Sequence, residues 1–460
     1  MRIRCFCSIL ILFAWLTSRV TAGQVVEKRP NVLLITIDTL RADHLSAYGY
    51  HLKTSQKIDS LASEGARFAH AYSVIPLTGP SHFSLFASRY PQEHGVRING
   101  VAVPKQSKWL FLPQALRQLG YFNAAFVSAW PLTSRLTGLH RWFDVYDEEL
   151  TRSYQVFNSS RYAEDVTPRV MSWLANHRAE PFFLWVHYFD PHSPYLMRKE
   201  FSSLEPSGHK GPRFRWRDSA IRERIQKYDS EIRYTDHHLG KLLDTLDRLG
   251  LRESTLVVLT ADHGESLGEH GYVGHGRRLS EGILQVPLIM RHPKIPPGTV
   301  IAAQVSLLDV TPTILDLVGT EKTVRLPASF AGQSLAKAVQ GKGDVARRPV
   351  RYVTFAGKKG WLPGWLSRLW LDPKDMPLRI GKTEGVQKWV WTPEETRLSI
   401  VNTSRDPLEL DPEVLSDDNG HYEEATAELK EWFDATNRGG ADRVVSEQDE
   451  KALRSLGYTQ

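Results

Sequence analysis

Two hydrophobic patterns alternate along the first two thirds of the chain. Unbroken apolar runs, typical of strands buried on both faces, occupy residues 31–37, 122–128, 182–187 and 255–260. Helical periodicity between these runs predicts helices at residues 56–63, 110–119, 161–177 and 219–249. Because strands and helices alternate, we predict an α/β sandwich around a large mixed, mostly parallel sheet.

The pattern changes after about Gly319. Short strand-like segments at residues 350–355, 379–382, 389–391 and 398–401 precede helical segments at 422–436 and 446–455. We therefore predict a small antiparallel sheet with a helix, packed on the main domain. The expected organisation is a main domain over residues 30–319 and a smaller C-terminal subdomain over residues 345–460.

The first 22 residues have the pattern of a secretory signal. Arg2 and Arg4 form a basic start, residues 8–16 are apolar, and a plausible cleavage site ends at Ala22. A membrane anchor is the alternative, but the apolar run is short for a span. We expect an exported product, periplasmic or secreted, with no stable membrane span after cleavage.

Charge and cysteine content narrow the class of protein. The formal charge is +6, and removal of the signal takes away three of the arginines. The mildly basic remainder argues little for a nucleic acid as partner. Cys5 and Cys7, the two cysteines of the chain, lie in the signal, so the mature protein would have no disulfide, thiolate ligand or Cys nucleophile. No oligomeric state is predicted.

Carboxylates follow two of the apolar runs. Asp38 comes directly after residues 31–37, and Asp262 and His263 come just after residues 255–260. In open α/β sheets, ligands collect at the carboxyl ends of the strands. Each aspartate could simply cap a turn or helix, but two of them with a histidine favour a divalent metal. Asp oxygen and His nitrogen suit Zn²⁺, whereas Ca²⁺ prefers oxygen throughout.

The segment PLTGPSHFSLFASRYP, residues 76–91, places Thr78 before a predicted helix of small and apolar residues. Pro80 suits the first turn of a helix, and Gly79 lets the backbone approach a ligand closely. A hydroxyl here would meet the positive end of the helix dipole, where an anion is stabilised. It needs a base or a metal to become a nucleophile. The alternative is that Thr78 is a plain N-cap.

These motifs, in this order, resemble those of the sulfatase family in the alkaline phosphatase superfamily, over nearly the whole mature length. The similar segments are residues 31–44, 78–89, 187–195 (HYFDPHSPY), 262–271 (DHGESLGEHG) and 284–291 (LQVPLIMR). The resemblance implies an alkaline-phosphatase/sulfatase-like sandwich and an enzyme that hydrolyses sulfuric or phosphoric esters.

Four positions depart from the usual pattern of that family. Sulfatases of the usual kind oxidise a Cys, or sometimes a Ser, to formylglycine, but this chain has Thr78 there. His82 stands in place of an Arg, and Thr39 in place of the second acid of an Asp-Asp pair. His275 falls near the place where many sulfatases have a Lys. In the wider superfamily, an unmodified Thr attacks phosphorus in nucleotide pyrophosphatases and lipoteichoic-acid synthases. The Thr-x-Pro-Ser-His variant therefore favours phosphoester or phosphodiester chemistry.

The resemblance also implies the metal ligands. Asp38, Asp262 and His263 would hold a divalent ion, Ca²⁺, Mn²⁺ or Zn²⁺, that also contacts the Thr78 oxygen. The ion would lower the pKa of the hydroxyl and polarise the transferred group.

Three histidines receive roles from the same resemblance. His82 would orient Thr78 or the transferred group, while His192 and His275 would bind its oxygens or protonate the leaving group. One ion is expected. The alternative is a second metal held by Asp190, His192 and His275.

Other functions stay open on the sequence alone. A transferase that passes a head group to a glycan or lipid would use the same covalent step. A catalytically dead relative could bind an anionic glycan, although the retained Asp38 and Asp262 argue against a pure binding module. The segment at 358–370 carries three Trp residues, which stack on sugars, lie at lipid interfaces or pack the subdomain. The expected partner is an anionic ester substrate, with glycans and lipid head groups as candidates.

Overall fold

The structure is a computed structural model that describes residues 29–102, 108–154, 157–178, 181–208, 218–319, 330–355, 377–417 and 420–437. The expected signal at 1–22, the Trp-rich segment at 358–370 and the expected helix at 446–455 lie outside the described residues. No helix in the described ranges combines the length and the apolar character that crossing a membrane requires.

Strands and helices are numbered along the chain. The strands are β1 (Asn31–Ile37), β2 (Ala66–Tyr72), β3 (Phe122–Phe126), β4 (Val145–Asp147), β5 (Arg152–Tyr154), β6 (Phe157–Ser160), β7 (Phe182–Tyr188), β8 (Thr255–Ala261), β9 (Ser266–Leu267), β10 (Val273–Gly274), β11 (Gln285–Val286), β12 (Leu288–Arg291), β13 (Thr299–Ser306), β14 (Val350–Thr354), β15 (Arg379–Glu384), β16 (Gln387–Thr392), β17 (Arg397–Asn402) and β18 (Glu413–Ser416). The α-helices are α1 (Gln56–Ser63), α2 (Thr78–Ala87), α3 (Pro91–His94), α4 (Leu112–Gln118), α5 (Ser134–Thr137), α6 (Ala163–Asn176), α7 (Ser219–Arg248), α8 (Glu281–Leu284), α9 (Val310–Val318), α10 (Ala336–Val339) and α11 (Gly420–Thr436).

The main sheet has the order β11-β2-β12-β8-β1-β7-β3-β4, with β13 also paired to β2. Strand β1 runs parallel to both β7 and β8, whereas β12 is antiparallel to β8. Strands β1, β7 and β8 are buried along their whole length, as their continuous apolar runs predict. The predicted fold class, an α/β sandwich with a mixed and mostly parallel sheet, is confirmed.

The longest strands of this sheet that the sequence prediction misses are β2 and β13. Strand β2 alternates between buried and partly exposed positions and carries Arg67 and His70, so it has no continuous apolar run. Strand β13 is partly exposed over most of its length. Both strands lie on the side of the sheet away from β7, where β13 pairs with β2.

The second sheet is antiparallel, with the order β14-β15-β16-β17-β18, and it occurs with α11 as the sequence predicts. Its apolar face shares a cluster with the segment that precedes α2: Val74, Ile75 and Leu77 pack with Val353 and Ile380. The backbone N–H of Val353 also donates to the carbonyl of Val74 at 2.9 Å. The second sheet therefore supports the start of α2. The domain boundaries at 30–319 and 345–460 stay predictions.

A buried ion network ties the second sheet to the main domain. Lys388 on β16, 1% exposed, lies 2.9 Å from Glu281 Oε1 and 2.7 Å from Glu409 Oε1. Burial lowers the pKa of Lys388, but the two carboxylates outweigh burial and raise it overall, so the cation stays charged. The next residue after Glu281, Gly282, accepts a hydrogen bond from the backbone N–H of Glu265 at 3.0 Å. The network thus supports the loop that follows Asp262.

Replacement of Lys388 by Ala should destabilise the protein by about 3–5 kcal/mol, because two buried carboxylates lose their shared cation. The midpoint of urea unfolding would measure this loss. Lys430→Ala is the matched control, since Lys430 forms an exposed ion pair with Asp434 on α11, and exposed pairs contribute less than about 1 kcal/mol. Equal, small losses in both variants would contradict a stabilising role for the buried network.

Candidate active site

Two aspartates leave the main sheet side by side. Strands β1 and β8 are parallel neighbours, and Ile37 pairs with Ala261, so the next residues, Asp38 and Asp262, emerge together. Both side chains are at most 1% exposed. Among the described residues, neither oxygen of Asp38 nor Oδ2 of Asp262 has a hydrogen-bond partner. Buried carboxylates without partners are costly, so this pair requires a cation or protons.

Thr39 turns the chain sharply after Asp38. Its φ of 56° lies in the left-handed region, which β-branched residues rarely adopt. In this conformation its N–H donates to Asp262 Oδ1 at 3.2 Å, and its carbonyl accepts from the Tyr228 hydroxyl at 2.7 Å. The same hydroxyl accepts from the N–H of Arg41 at 2.9 Å. Helix α7 therefore holds the strained turn in place through Tyr228.

Thr78 is the first residue of α2, and Leu77 is the N-cap, without a side-chain capping bond. The alternative that Thr78 is a plain N-cap is therefore wrong. Thr78 is fully buried, and its Oγ1 lies 3.5 Å from His263 Nε2. The Ser81 hydroxyl, one turn further along α2, donates to the carbonyl of Asp262 at 2.7 Å. This bond fixes the start of α2 against the end of β8.

His263 presents one ring nitrogen to the aspartates. Its Nδ1 lies 2.9 Å from the carbonyl of Gly264 and must donate to it, because a carbonyl only accepts. The lone pair of Nε2 is then directed towards Thr78 and available to a metal. Asp38, Asp262 and His263 form a buried group whose ligand atoms lie within 4.8 Å of one another. These three predicted ligands are brought together.

His187 also lies at this edge, although the sequence analysis gives it no role. It is the penultimate residue of β7, fully buried, and its Nε2 lies 3.5 Å from Asp38 Oδ2. Neither of its ring nitrogens has a hydrogen-bond partner within the described part of the chain. With His82 and Asp262, it forms a second group that could hold a metal. The sequence analysis could have found His187 by its position. It lies at the end of an apolar strand, and Asp38 and Asp262 likewise follow the ends of apolar strands.

His82 has both ring nitrogens engaged. Nδ1 lies 2.7 Å from the carbonyl of Thr78, and Nε2 lies 3.0 Å from the hydroxyl of Thr36. The Thr36 hydroxyl also accepts from the indole of Trp185 at 3.0 Å, so it can donate to His82 Nε2. This pattern makes His82 less available as a ligand than His187. Its contact with Thr78 is to the backbone carbonyl, not to the hydroxyl.

The pKa values of these buried groups are shifted towards their neutral forms. Burial raises the pKa of Asp262 to about 6, with His82 and the N–H groups of His263 and Thr39 acting against it. Burial, together with the charges of Asp262 and Glu265, raises the pKa of Asp38 well above its usual value. Burial lowers the pKa of His263 to about 3. Such shifts reverse when a divalent ion binds.

His192 and His275 form a pair next to this group. Their Nε2 atoms are 3.2 Å apart, and the ring of His275 lies 4.3 Å from that of His263. Each Nδ1 must donate to a carbonyl: His192 to Ser193 at 2.6 Å and His275 to Pro76 at 3.0 Å. A hydrogen bond between the two Nε2 atoms therefore requires one proton, which the pair can hold. Burial and the neighbouring His275 lower the pKa of His192 to about 3, so protonation requires an anion nearby.

The alternative second-metal set is not brought together. Asp190 accepts from Arg198 at 2.9 Å and from the N–H of Ala163 at 2.9 Å. It does not join His192 and His275 in either of the groups that could hold a metal among the described residues. Asp190 is therefore engaged in holding the start of α6 and Arg198.

The profile of the sulfatase family matches residues 30–320. The chain belongs to the sulfatase family. The choline-sulfatase of Rhizobium meliloti is 26% identical, over 86% of this chain and 85% of that protein. The N-acetylglucosamine-6-O-sulfatase of Bacteroides thetaiotaomicron is 24% identical, over 69% of this chain and 72% of that protein. The phosphonate monoester hydrolase of Agrobacterium radiobacter has the same fold, with a TM-score of 0.67 at 20% identity over 89% of this chain and 95% of that one.

Membership makes the chain a sulfatase-like ester hydrolase, in a family that depends on metal. Membership does not by itself assign roles to the residues of this sulfatase.

Asn99 is a further candidate site residue, which sequence reasoning missed. It is fully buried, its Oδ1 accepts from the N–H of Gly79 at 2.7 Å, and its Nδ2 has no partner among the described residues. The position of Asn99 beside α2 depends on the path of the folded loop, and no local sequence pattern predicts it.

Metal binding should weaken as the pH falls through about 6. The metal requires ionised carboxylates, and Asp262 takes up a proton below its raised pKa of about 6. Calorimetry with Mn²⁺ or Zn²⁺ should therefore show an affinity at least about tenfold lower at pH 5 than at pH 7.5. Asp262→Asn should abolish most of this dependence along with the binding. Asp190→Asn is the matched control, and an equal loss of binding in that variant would support the second-metal alternative instead.

Proposed function

We propose that this sulfatase is an exported, metal-dependent ester hydrolase whose nucleophile is the unmodified hydroxyl of Thr78. The proposal rests on one juxtaposition: Thr78 Oγ1 lies 3.5 Å from His263 Nε2, in the group with Asp38 and Asp262, three of whose four oxygens have no partner among the described residues. An alcohol is a poor nucleophile unless its pKa is lowered, and this position provides the ligands for an ion that would lower it. Export is inferred from the signal-like pattern of residues 1–22.

Asp38, Asp262 and His263 would hold the ion, with His187 as a further ligand candidate. The fit is supported by buried carboxylate oxygens that lack partners and by imidazoles whose depressed pKa keeps them neutral. When bound, the ion supplies a lowered hydroxyl pKa and polarisation of the ester. Carboxylate and imidazole together fit Zn²⁺ or Mn²⁺ better than Ca²⁺.

The chain's own groups then divide the reaction between them. The Thr78 oxygen forms a bond to sulfur or phosphorus, and the bond to the leaving alcohol breaks in line. The His192–His275 pair, protonated in the presence of the anionic ester, gives its proton to the leaving oxygen and takes up in its place the proton that the Thr78 hydroxyl loses. Water then attacks the Thr78 ester, which releases the acid and returns the proton to Thr78. The Nδ2 of Asn99 can donate to an ester oxygen as charge builds on it.

Phosphorus is the favoured centre. Formylglycine arises from Cys or Ser, whereas position 78 carries Thr. An ester formed on the Thr78 oxygen must therefore be opened by attack of water on its sulfur or phosphorus atom. The relatives named above act on sulfate esters or phosphonate monoesters, and both ester classes belong in the test. A glycan or lipid head-group transferase would use the same covalent step with an alcohol in place of water.

Turnover should depend on Thr78. We expect Thr78→Ala to lower the rate at least about 10³-fold on nitrophenyl phosphate, phosphodiester and sulfate substrates tested with Ca²⁺, Mn²⁺ and Zn²⁺. Thr78→Ser should retain much of the activity because it keeps the hydroxyl. Ser84→Ala is the matched control, since it removes another buried hydroxyl of α2 that faces His94.

Three results would overturn the proposal. A mass of the mature protein that indicates an aldehyde would contradict an unmodified threonine as nucleophile. Strong acceleration by a glycan or glycerol acceptor would indicate a transferase. No turnover with any metal, together with thermal stabilisation by anions, would indicate a binding protein.

Asn99→Asp should lower kcat/KM by about 10²–10³-fold, the effect of losing one transition-state donor. The aspartate keeps the Oδ1 acceptor for Gly79 N–H but replaces the free donor with a negative charge. The start of α2 is therefore preserved, and the thermal midpoint reports whether it is. A double variant with Thr78→Ala should lose little more than Thr78→Ala alone, because the donor acts on the same step. Full additivity of the two losses would contradict this role.

A further inference from the structure

Four arginines from two parts of the chain gather beside the candidate active site. Arg277 and Arg278 follow His275, Arg379 begins β15, and Arg397 begins β17. We call these residues the arginine patch. None of them takes part in the chemistry described above.

The second sheet aligns two members of the patch. Ile380, next to Arg379, pairs with Trp391, and Arg397 pairs with the following residue, Thr392. Arg379 and Arg397 therefore stand in one row across β15, β16 and β17, at the same end and on the same face of the sheet. Two strand spacings separate their backbones, about 10 Å.

The loop after β10 brings Arg277 and Arg278 to this row. Thr354 is the cross-strand partner of Arg379, and its hydroxyl donates to the carbonyl of Gly276. The guanidinium of Arg278 lies over the ring of Tyr272, 5.7 Å from its centre. Burial and the like charges of Arg278 and Arg397 lower the pKa of Arg379, with Glu395 acting against them. The guanidinium of Arg379 is thus close enough to those of Arg278 and Arg397 to be repelled by them.

The loop that carries two members of the patch packs beside the segment that precedes Thr78. A side chain at Gly276 would meet Leu77 at 3.2 Å, so the loop that carries Arg277 lies against the segment just before Thr78. The Tyr272 hydroxyl donates to the carbonyl of His275 at 2.5 Å. Ligands held by the patch would therefore lie next to the His192–His275 pair.

The charge of the patch is only partly compensated by the described residues. The carboxylate of Glu395, which is exposed on the turn between β16 and β17, acts on Arg379. Arg277, Arg278 and Arg379 are partly exposed, and Arg397 is exposed. The Nε atoms of Arg277 and Arg379 have no hydrogen-bond partner among the described residues. Like charges brought together in this way are stabilised by an anion from outside the chain.

We propose that the arginine patch is a subsite for a second anionic group of the substrate, so that the physiological ester is a soluble polyanion with at least one sulfate, phosphate or carboxylate besides the group cleaved. This inference rests on the proposed function, since it assumes that the ester is cleaved at Thr78. The planar, permanently charged guanidinium suits bidentate recognition of such groups. The patch selects among esters, whereas the metal group and Thr78 act on any of them.

Dextran sulfate is a suitable probe, with uncharged dextran as its negative control. Calorimetry on the Thr78→Ala protein would measure binding without turnover, at low and high salt. In that background, Arg278→Gln and Arg379→Gln should each weaken the binding of dextran sulfate about tenfold, and the double variant more than either. High salt should weaken binding in the parent protein more than in the double variant.

Arg405→Gln is the matched control. Arg405 is exposed on the turn beyond the far end of β17, on the same subdomain as Arg397, and should leave dextran sulfate affinity unchanged. Equal affinities of the Arg379→Gln and Arg405→Gln proteins would overturn the proposal, provided their thermal midpoints match the parent. Binding to vesicles that contain phosphatidylserine, without binding to dextran sulfate, would also overturn it in favour of a membrane surface.

Failure of the subsite proposal can be distinguished from failure of the hydrolase proposal. Turnover of a nitrophenyl ester by the unsubstituted protein, with no affinity for dextran sulfate, would refute the subsite and keep the hydrolase. Patch-dependent binding of dextran sulfate without turnover of any ester would keep the subsite and refute the hydrolase.

Discussion

The repulsion between Asp38 and Asp262 is the constraint on which the rest of the site depends. Parallel pairing of β1 and β8 brings the two carboxylates out of the sheet together, fully buried and with three of their four oxygens unpartnered among the described residues. Each raises the cost of ionising the other in a place that water does not reach. A bound cation would remove that cost, and the proposed ligands surround the place where it would lie.

The surroundings hold this arrangement through stiff connections. Thr39 keeps a left-handed backbone because Tyr228 of α7 accepts and donates on either side of the turn. The buried guanidinium of Arg41 bonds to Asp43 and Glu269 and to the carbonyl of Glu265, which links the loops after β1 and β8. Strain of this kind persists only where packing over-determines it. The same loops would lose their positions if the second sheet were detached.

Sequence alone could predict what depends on local pattern. The buried strands β1, β7 and β8 are continuous apolar runs, so their ends, and with them Asp38, Asp262 and His263, could be read directly. Strands β2 and β13 could not, because partial exposure interrupts their apolar pattern. Asn99 reaches Gly79 only through the tertiary path of the loop. His187 had the right signal, a polar residue near the end of a buried strand, yet its unpartnered nitrogens are visible only in the fold.

The departures from the usual sulfatase pattern compensate one another. Thr39 stands in place of an acid and donates its backbone N–H to Asp262. His82 stands in place of a cation, and its neutral ring is hydrogen-bonded to the hydroxyl of Thr36 and to the carbonyl of Thr78. One negative and one positive charge are thus lost together at positions 39 and 82. What changes is the candidate donor set, which loses a carboxylate at position 39. Harder ions such as Ca²⁺ lose more by that change than Zn²⁺ does, and a more strongly polarising ion is what an unactivated alcohol such as Thr78 would require.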